Sequence, residues 1–546
     1  MSETTINIGS SKQLFLDDYV IDRMDNVVRQ LHRPIKDTNN PIISVDKDWE
    51  IPGGLAYIIG GTVIYDMQQQ QYRMWYRITD KLTKAVRHDW MGSIVTPDDG
   101  GFKASYAVSD DGSHWIKPNL GLSEIGGSKN NNVLPPGIGG TSHVRRPNLI
   151  LDFEEPSDAR RYKMVYMDNF DGRWALVKAY SGDGILWDMN VGDPKFFEDG
   201  VFPNGILFGW DPRREEYVHY HSVGKPTRAD VDGRMMRYKQ TTLRTTSIDF
   251  DNWGDPQSTI KGMDHDPIGW HRTEGDLAGI LYTDNLYIGL MQMSSSHHVE
   301  EGTPEKWNSV FGNYYTDFRA ELLVSRNGTS WDRVAPNWEF IPRGLTTDWD
   351  DDHIYPAKPI VKDDEIHFYY TASNLPTGVH HPEHPKYPLL TTISNGLRYG
   401  MAIGHAKMRL DGFVSIDGYD DDGILTTKPL VFTGDRLVVN VRAPARPFYE
   451  DASQNFPYGV FRVEILKTSG EVIEGYGVAE SDQFTGDEVR HIVTWNGSYD
   501  LSRLSGIPVR LRFHHRNAAL YSFQFQGPTA TKPVSNLLAP GARGVG

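Results

Sequence analysis

At 546 residues the chain is longer than one ordinary core organises, so it reads as two domains or as a large β-architecture with an appendage. Hydrophobic content of 38% with 12% aromatics is that of a globular protein, and a net charge of −16 excludes the basic field that nucleic acid or an anionic membrane would need. There is no cysteine, which excludes disulfides, thiolate metal sites and cysteine nucleophiles.

The chain opens with MSETTINIGSSKQLF, which has neither the basic nor the apolar region of a signal peptide, and a cytoplasmic location is expected. No run approaches the ~18 apolar residues of a membrane span. LFLDDYVI (14–21) is expected to be a strand that helps close the fold, with Asp17 and Asp18 structural.

A unit then recurs: a β-rich run ending in a turn, followed by a second β-rich run. GTVIYD (61–66) precedes YRMWYR (72–77), NLILD (148–152) precedes YKMVYM (162–167), and ILFGWD (206–211) precedes YVHYHS (217–222). GILYTD (279–284) precedes LYIGLM (286–291), and PIVKD (359–363) precedes EIHFYYT (365–371). Their β-branched and aromatic residues, with polar or glycine-containing turns, predict five hairpins.

After each of the first four hairpins a third strand runs into a repeated turn: SDDGSHW (109–115), SGDGILW (181–187), the degenerate SIDFDNW (247–253) and SRNGTSW (325–331). Asp and Gly suit its backbone and Trp is placed to pack between units, so the motif is architectural rather than catalytic. The fifth hairpin leads instead into YGMAIGHAKMRLDGFVSI (399–416). Five four-stranded units predict an all-β fold, a five-bladed β-propeller over residues 1–422. From Gly423, alternating runs such as FRVEILKTSGEVIEGY predict a β-sandwich over 423–527, and residues 528–546 lack periodicity and are expected to be a disordered tail.

These residues resemble the invertase-like and arabinanase-like glycosidase superfamily, and more closely the divergent bacterial proteins related to glycoside hydrolase family 32. The resemblance rests on LFLDDYVI, RQLHRPIKDTNNPII (29–43), YAVSDDGSHWIKPNLGL (106–122), RYKMVYM (161–167), DWDDDHIY (348–355), LDGFVSI (410–416) and LRFHHRNAALYSFQF (511–525). It implies a propeller glycosidase with a C-terminal sandwich. It does not bring the family's catalytic triad, because the WMNDPNG-like, RDP and EC segments are all missing. RRPN (145–148) stands where RDP is expected, with Arg146 in place of the acid, and PNG (203–205) carries no carboxylate.

In a propeller the residues leading into the innermost strands converge on one funnel. The five lead-ins are DWEIPGG (48–54), HVRRPN (143–148), FPNG (202–205), WHRTEGD (270–276) and DWDDDHIY. They supply carboxylates from three blades, and Glu50, Glu274, Asp276 and Asp350 are the candidate catalytic residues. Glycoside hydrolysis needs two such groups, one to protonate the leaving oxygen and one to attack or to activate water. Trp49, Trp270, Trp349 and Tyr355 offer flat apolar faces to sugar C–H surfaces, and Arg145, Arg146, His271 and His353 are candidate polar contacts. Each has a bland alternative: a loop carboxylate, a structural ion pair, or, for Asp351 and Asp352, a solvated pair or a calcium ligand. His271 or His353 is an alternative acid, and His297 and His298 read as rim residues.

HEXXH is absent, Asp420–Asp422 does not match an EF-hand, and no metal or other cofactor is expected. The resulting expectation is an exo-acting glycoside hydrolase that takes an oligosaccharide substrate and releases a fructo- or arabinofuranosyl unit. The rivals are a polysaccharide lyase, with Arg145 and Arg146 neutralising a uronate, and a non-catalytic carbohydrate-binding protein. Nucleic-acid and membrane partners are not expected. The sandwich either braces the propeller or makes a homo-oligomer.

Overall fold

The runs rich in Val, Ile, Tyr and Trp form strands, and the computed structural model places them in antiparallel meanders. It describes residues 4–50, 56–79, 87–88, 94–95, 102–135, 145–170, 173–189, 195–198, 204–229, 236–261, 272–298, 314–345, 348–374, 401–444, 459–527 and 542–543. Among these the regular elements are strands and short 3-10 turns, without an α-helix, so the fold is all-β. No helix among the described residues is long and apolar enough to cross a membrane.

Five meanders follow one another. The first joins Ala56–Asp66, Gln71–Thr79 and Phe102–Ser109, and Val108 bridges to Ile116 beyond it. The second runs Arg145–Asp152, Tyr162–Phe170, Arg173–Ser181 and Lys195–Glu198. The third runs Asn204–Asp211, Glu216–Ala229, Met236–Ser247 and Gln257–Lys261. The fourth runs Arg272–Tyr282, Tyr287–His298, Tyr314–Ser325 and Asp332–Arg333.

In the fifth, His353–Pro356 and Ile360–Lys362 both pair with Glu365–Ser373, which pairs with Met401–Arg409. Its outer edge comes from the other end of the chain: Lys36 pairs with Ala406, Ile35 with Lys407, and Ile43 bridges to Ile403. First strands touch in series, the first meander's against the second's, the second's against the third's, the third's against the fourth's and the fourth's against His353–Pro356. Glu365–Ser373 of the fifth returns to Ala56–Asp66 of the first.

The repeated turns hold these meanders together. Gly112, Gly184 and Gly328 sit at φ +81°, +76° and +70°, and Phe250 occupies the same place in the degenerate copy at +66°. The turn's Ser Oγ accepts the glycine N–H, as Ser181 does from Gly184 at 2.8 Å, and Asp183 Oδ1 accepts the next two, from Ile185 and Leu186. The glycine carbonyl then accepts a donor from a neighbouring meander: Trp75 Nε1 to Gly184 at 2.7 Å, Tyr220 to Gly328 at 3.0 Å and Tyr369 to Gly112 at 3.1 Å. The motif is architectural, as expected. Its Trp folds back on its own turn in three copies, with Nε1 of Trp115, Trp253 and Trp331 donating to the carbonyls of Gly112, Phe250 and Gly328.

The remaining strands build two six-stranded sheets. One orders Ile6–Gly9, Leu430–Phe432, Val509–Arg516, Gly423–Thr427 and Ile21–Asp25, with Val460–Lys467 also on Val509–Arg516. The other orders Gly486–Ile492, Arg436–Ala443, Ala518–Gln526, Val414–Gly418 and Val27–Leu31, with Gln13–Leu14 also on Ala518–Gln526. Phe432 stacks on Phe525 at 3.7 Å in a core that runs on through Phe413 and Phe340 to Phe368 of the fifth meander.

Residues 6–31 therefore pair with C-terminal strands, and what joins the fifth meander is the strand Ile35–Lys36 with the Ile43 bridge, not the segment around Asp17. Asp17 instead binds Arg326, with Nε to Oδ2 at 3.0 Å, and Asp18 binds Arg29. Near the C-terminus, Ala542–Arg543 pairs in parallel with Leu151–Asp152.

Candidate functional site

Side chains stitch inner strands of neighbouring meanders to one another. Thr62 Oγ1 of the first meander accepts the Leu149 N–H of the second at 2.9 Å. Asn148 Oδ1 of the second accepts the Phe208 N–H of the third at 3.1 Å. Thr371 Oγ1 of the fifth accepts the Ile58 N–H of the first at 2.7 Å. Strands buried on both faces leave few backbone partners between meanders, and short polar side chains satisfy these donors.

Two of the expected catalytic carboxylates are held in ion pairs. Glu50 is 2% exposed and accepts Lys117 Nζ at 2.7 and 2.8 Å together with the N–H groups of Asp46 and Lys47. Trp49 beside it donates Nε1 to Asn132 Oδ1 at 3.1 Å and packs on the core shared by the first and fifth meanders. Asp350 is buried and accepts Lys36 Nζ at 2.5 Å and the Tyr370 hydroxyl at 3.5 Å. Trp349 stacks on Tyr370 at 6.0 Å. A carboxylate whose oxygens are occupied by a lysine and backbone or hydroxyl donors is an anchor for its loop. Lys36 lies on the strand that completes the fifth meander, so this anchor also pins that strand.

A second set of buried groups lies on the adjoining first strands of the fourth and fifth meanders, which touch. Asp276 is 3% exposed and sits opposite Gln292, itself buried, in the Arg272–Tyr282 ladder. Asp352, 2% exposed, and His353, 1% exposed, begin the facing strand, with His353 Nδ1 3.8 Å from Asp352 Oδ1. Tyr355 is buried too, and its ring lies 5.7 Å from His353 and 4.6 Å from Phe318. His353 and Tyr355 of the expected set thus lie together with Asp352, which the sequence left as solvated or calcium-binding, and Asp276 is buried on a strand that touches theirs.

Arg145 begins the second meander's first strand and Arg146 follows it, while Glu274 lies in the fourth's, paired with Ser294; their side chains lie outside the described set. Trp270 and His271 lie outside the described residues altogether. Among the described residues no group of three or more His, Asp and Glu could hold a metal ion.

Sequence reasoning missed the lysines: Lys117 and Lys36 lie 67 and 314 residues from the carboxylates they bind, and neither carries a local motif. It also missed Asp168, fully buried on Tyr162–Phe170, and Lys358, fully buried between the two inner segments of the fifth meander.

No protein-family model matches the chain, and no curated protein matches it. Solved structures overlap it loosely. A glycosyl hydrolase from Bacteroides ovatus shares 13% identity over 73% of this chain and 96% of its own, with a TM-score of 0.42. A β-1,2-mannobiose phosphorylase from Listeria innocua shares 13% over 69% and 96%, at 0.41. A fructofuranosidase from Schwanniomyces occidentalis shares 8% over 96% and 99%, at 0.34. Overlaps this loose carry no argument about chemistry.

Proposed function

We propose that the five meanders are the blades of a β-propeller, that the two six-stranded sheets form the accompanying sandwich, and that the protein is an exo-acting glycoside hydrolase. Its substrate is an oligosaccharide, and the unit released is a fructo- or arabinofuranosyl group. The series of first-strand contacts and the return from the fifth meander to the first support the ring. The observation that carries the chemistry is the burial of Asp276 on the fourth meander's first strand and of Asp352 beside His353, at the head of a strand that touches it.

Two carboxyl groups on neighbouring strands are the minimum inventory for glycosidic cleavage. One is positioned to protonate the leaving oxygen, and the other to attack the anomeric carbon or to activate a water. Glu274 precedes Asp276 by two residues on the same strand. Glu50 and Asp350 shape the surrounding loops through Lys117 and Lys36. Trp49 and Trp349, both half-buried beside them, are the flat surfaces on which a sugar ring packs.

The test is a product screen on fructo-, arabino-, galacto- and uronate-containing oligosaccharides. Release of a saturated monosaccharide, lost in Asp276→Asn or Asp352→Asn, supports the reading. An unsaturated product absorbing in the ultraviolet assigns a lyase instead, and binding without turnover assigns a carbohydrate-binding protein.

A further inference from the structure

Lys358 lies between the two inner segments of the fifth meander, His353–Pro356 and Ile360–Lys362. It is 1% exposed, and its Nζ donates to the carbonyl oxygens of Phe208, at 3.1 Å, and Leu149. Those carbonyls belong to the first strands of the third and second meanders. The fifth meander's neighbours in the series are the fourth and the first, so Lys358 reaches the two strands farthest from its own. Among the described residues no carboxylate lies within ion-pair distance of Nζ, and the amine is satisfied by backbone alone.

From this geometry we infer that Lys358 is the floor of the substrate funnel, a specificity-determining residue that turns a central channel into a blind cup. The inference rests on the propeller reading given above. Leu149 and Phe208 lie midway along strands 145–152 and 204–211, so the bridge crosses at mid-height. On one side lie the strand starts, among them His353; on the other lie the hairpin turns at Asp152 and Asp211. A cup closed at that depth admits the end of a sugar chain and excludes a chain threaded through.

The segment bearing Lys358 is itself wedged. A Cβ on Gly279 of the fourth meander would lie 2.8 Å from Pro359 Cδ and 3.2 Å from the Ala357 carbonyl. The fourth meander therefore presses directly on residues 357–359 and keeps the lysine extended across the ring.

The primary test needs no variant. Native protein is treated with an amine-acetylating reagent, and the rate at each lysine is read by peptide mapping. Burial holds the Lys358 amine well below the usual lysine range, so protonation does not protect it and slow labelling would report that the reagent cannot reach it. The expected result is labelling at least tenfold slower than at half-exposed Lys407; labelling within tenfold of it overturns the floor.

The companion test compares products from Lys358→Ala, which removes the bridge, with those from Lys358→Met, which keeps a stem of similar length. Internal cleavage products appearing with Ala and not with Met are expected. Exclusive release of terminal units by a folded Lys358→Ala overturns the role in specificity. Acetylation decides the floor even if the chain proves not to hydrolyse glycosides.

Discussion

Replacing Gly184 by Ala tests whether the repeated turn locks one meander onto the next. Gly184 has φ +76°, a conformation that costs a residue with a Cβ roughly 1–2 kcal/mol. Its Cβ would lie 2.7 Å from Trp75 Cζ2 and 3.2 Å from Tyr162 Cδ1, where both rings are buried. Crowding of that kind in a packed core costs about 1–3 kcal/mol. Trp75 cannot retreat without loosening its 2.7 Å hydrogen bond to the Gly184 carbonyl. The total expected is therefore ~2–5 kcal/mol.

Gly126 supplies the control, because it has φ +57° and nothing within 4 Å of an added Cβ. Gly126→Ala should show the backbone cost alone, ~1–2 kcal/mol. The loss of unfolded-chain freedom that favours both alanines cancels between them. Urea midpoints of the two variants at matched slope measure the difference, expected to be about 1–3 kcal/mol. Equal midpoints would refute the inter-meander lock and leave the glycine a purely conformational requirement.

Phe250 holds the same place without being glycine, fully buried against Phe208, Tyr217 and Trp253; Phe250→Gly should lower stability by ~3 kcal/mol despite the relaxed backbone, seen as a fall in the urea midpoint. Glu50→Gln leaves Lys117 buried beside only the half-exposed Asp46, and a loss of ~2–4 kcal/mol with a lowered melting temperature is expected. His367 and His515 are each driven by burial down to about 3 from 6.5, so below pH 6.5 the unfolded chain binds more protons than the folded one. Their stabilising contribution is full above pH 6.5 and is lost progressively as pH falls toward 3, so a melting-temperature profile should drop across that window. Neither ring nitrogen of His515 has a hydrogen-bond partner, and His515→Leu should raise the melting temperature, more at pH 5 than at pH 8.

The hairpins and turns were legible because each is written locally. A β-rich run, a polar turn and a Ser–Trp spacing of six residues need no distant partner to be recognised. The contribution of residues 6–31 to the two six-stranded sheets was not legible, since strands pairing across the whole chain leave no local mark beyond their alternation. The site divides in the same way. Burial of Asp276 and His353 on their strands follows from their position beside apolar runs, LAGILY and IY. The anchoring of Glu50 and Asp350 depends on Lys117 and Lys36, charges brought in by folding alone. Lys358 was invisible for a related reason: a lysine beside Pro359 looks like a loop residue until folding buries it.

The most direct measurement of the central claim pairs turnover with melting temperature for wild type, Asp276→Asn and Glu50→Gln on the best oligosaccharide of the screen. Asp276→Asn should keep the wild-type melting temperature within ~3 °C, a shift under about 1 kcal/mol, and lose at least about 100-fold in turnover. Glu50→Gln should lose stability and keep turnover at temperatures where it is folded. Full activity in a folded Asp276→Asn protein would contradict the account and move the chemistry away from the fourth and fifth first strands.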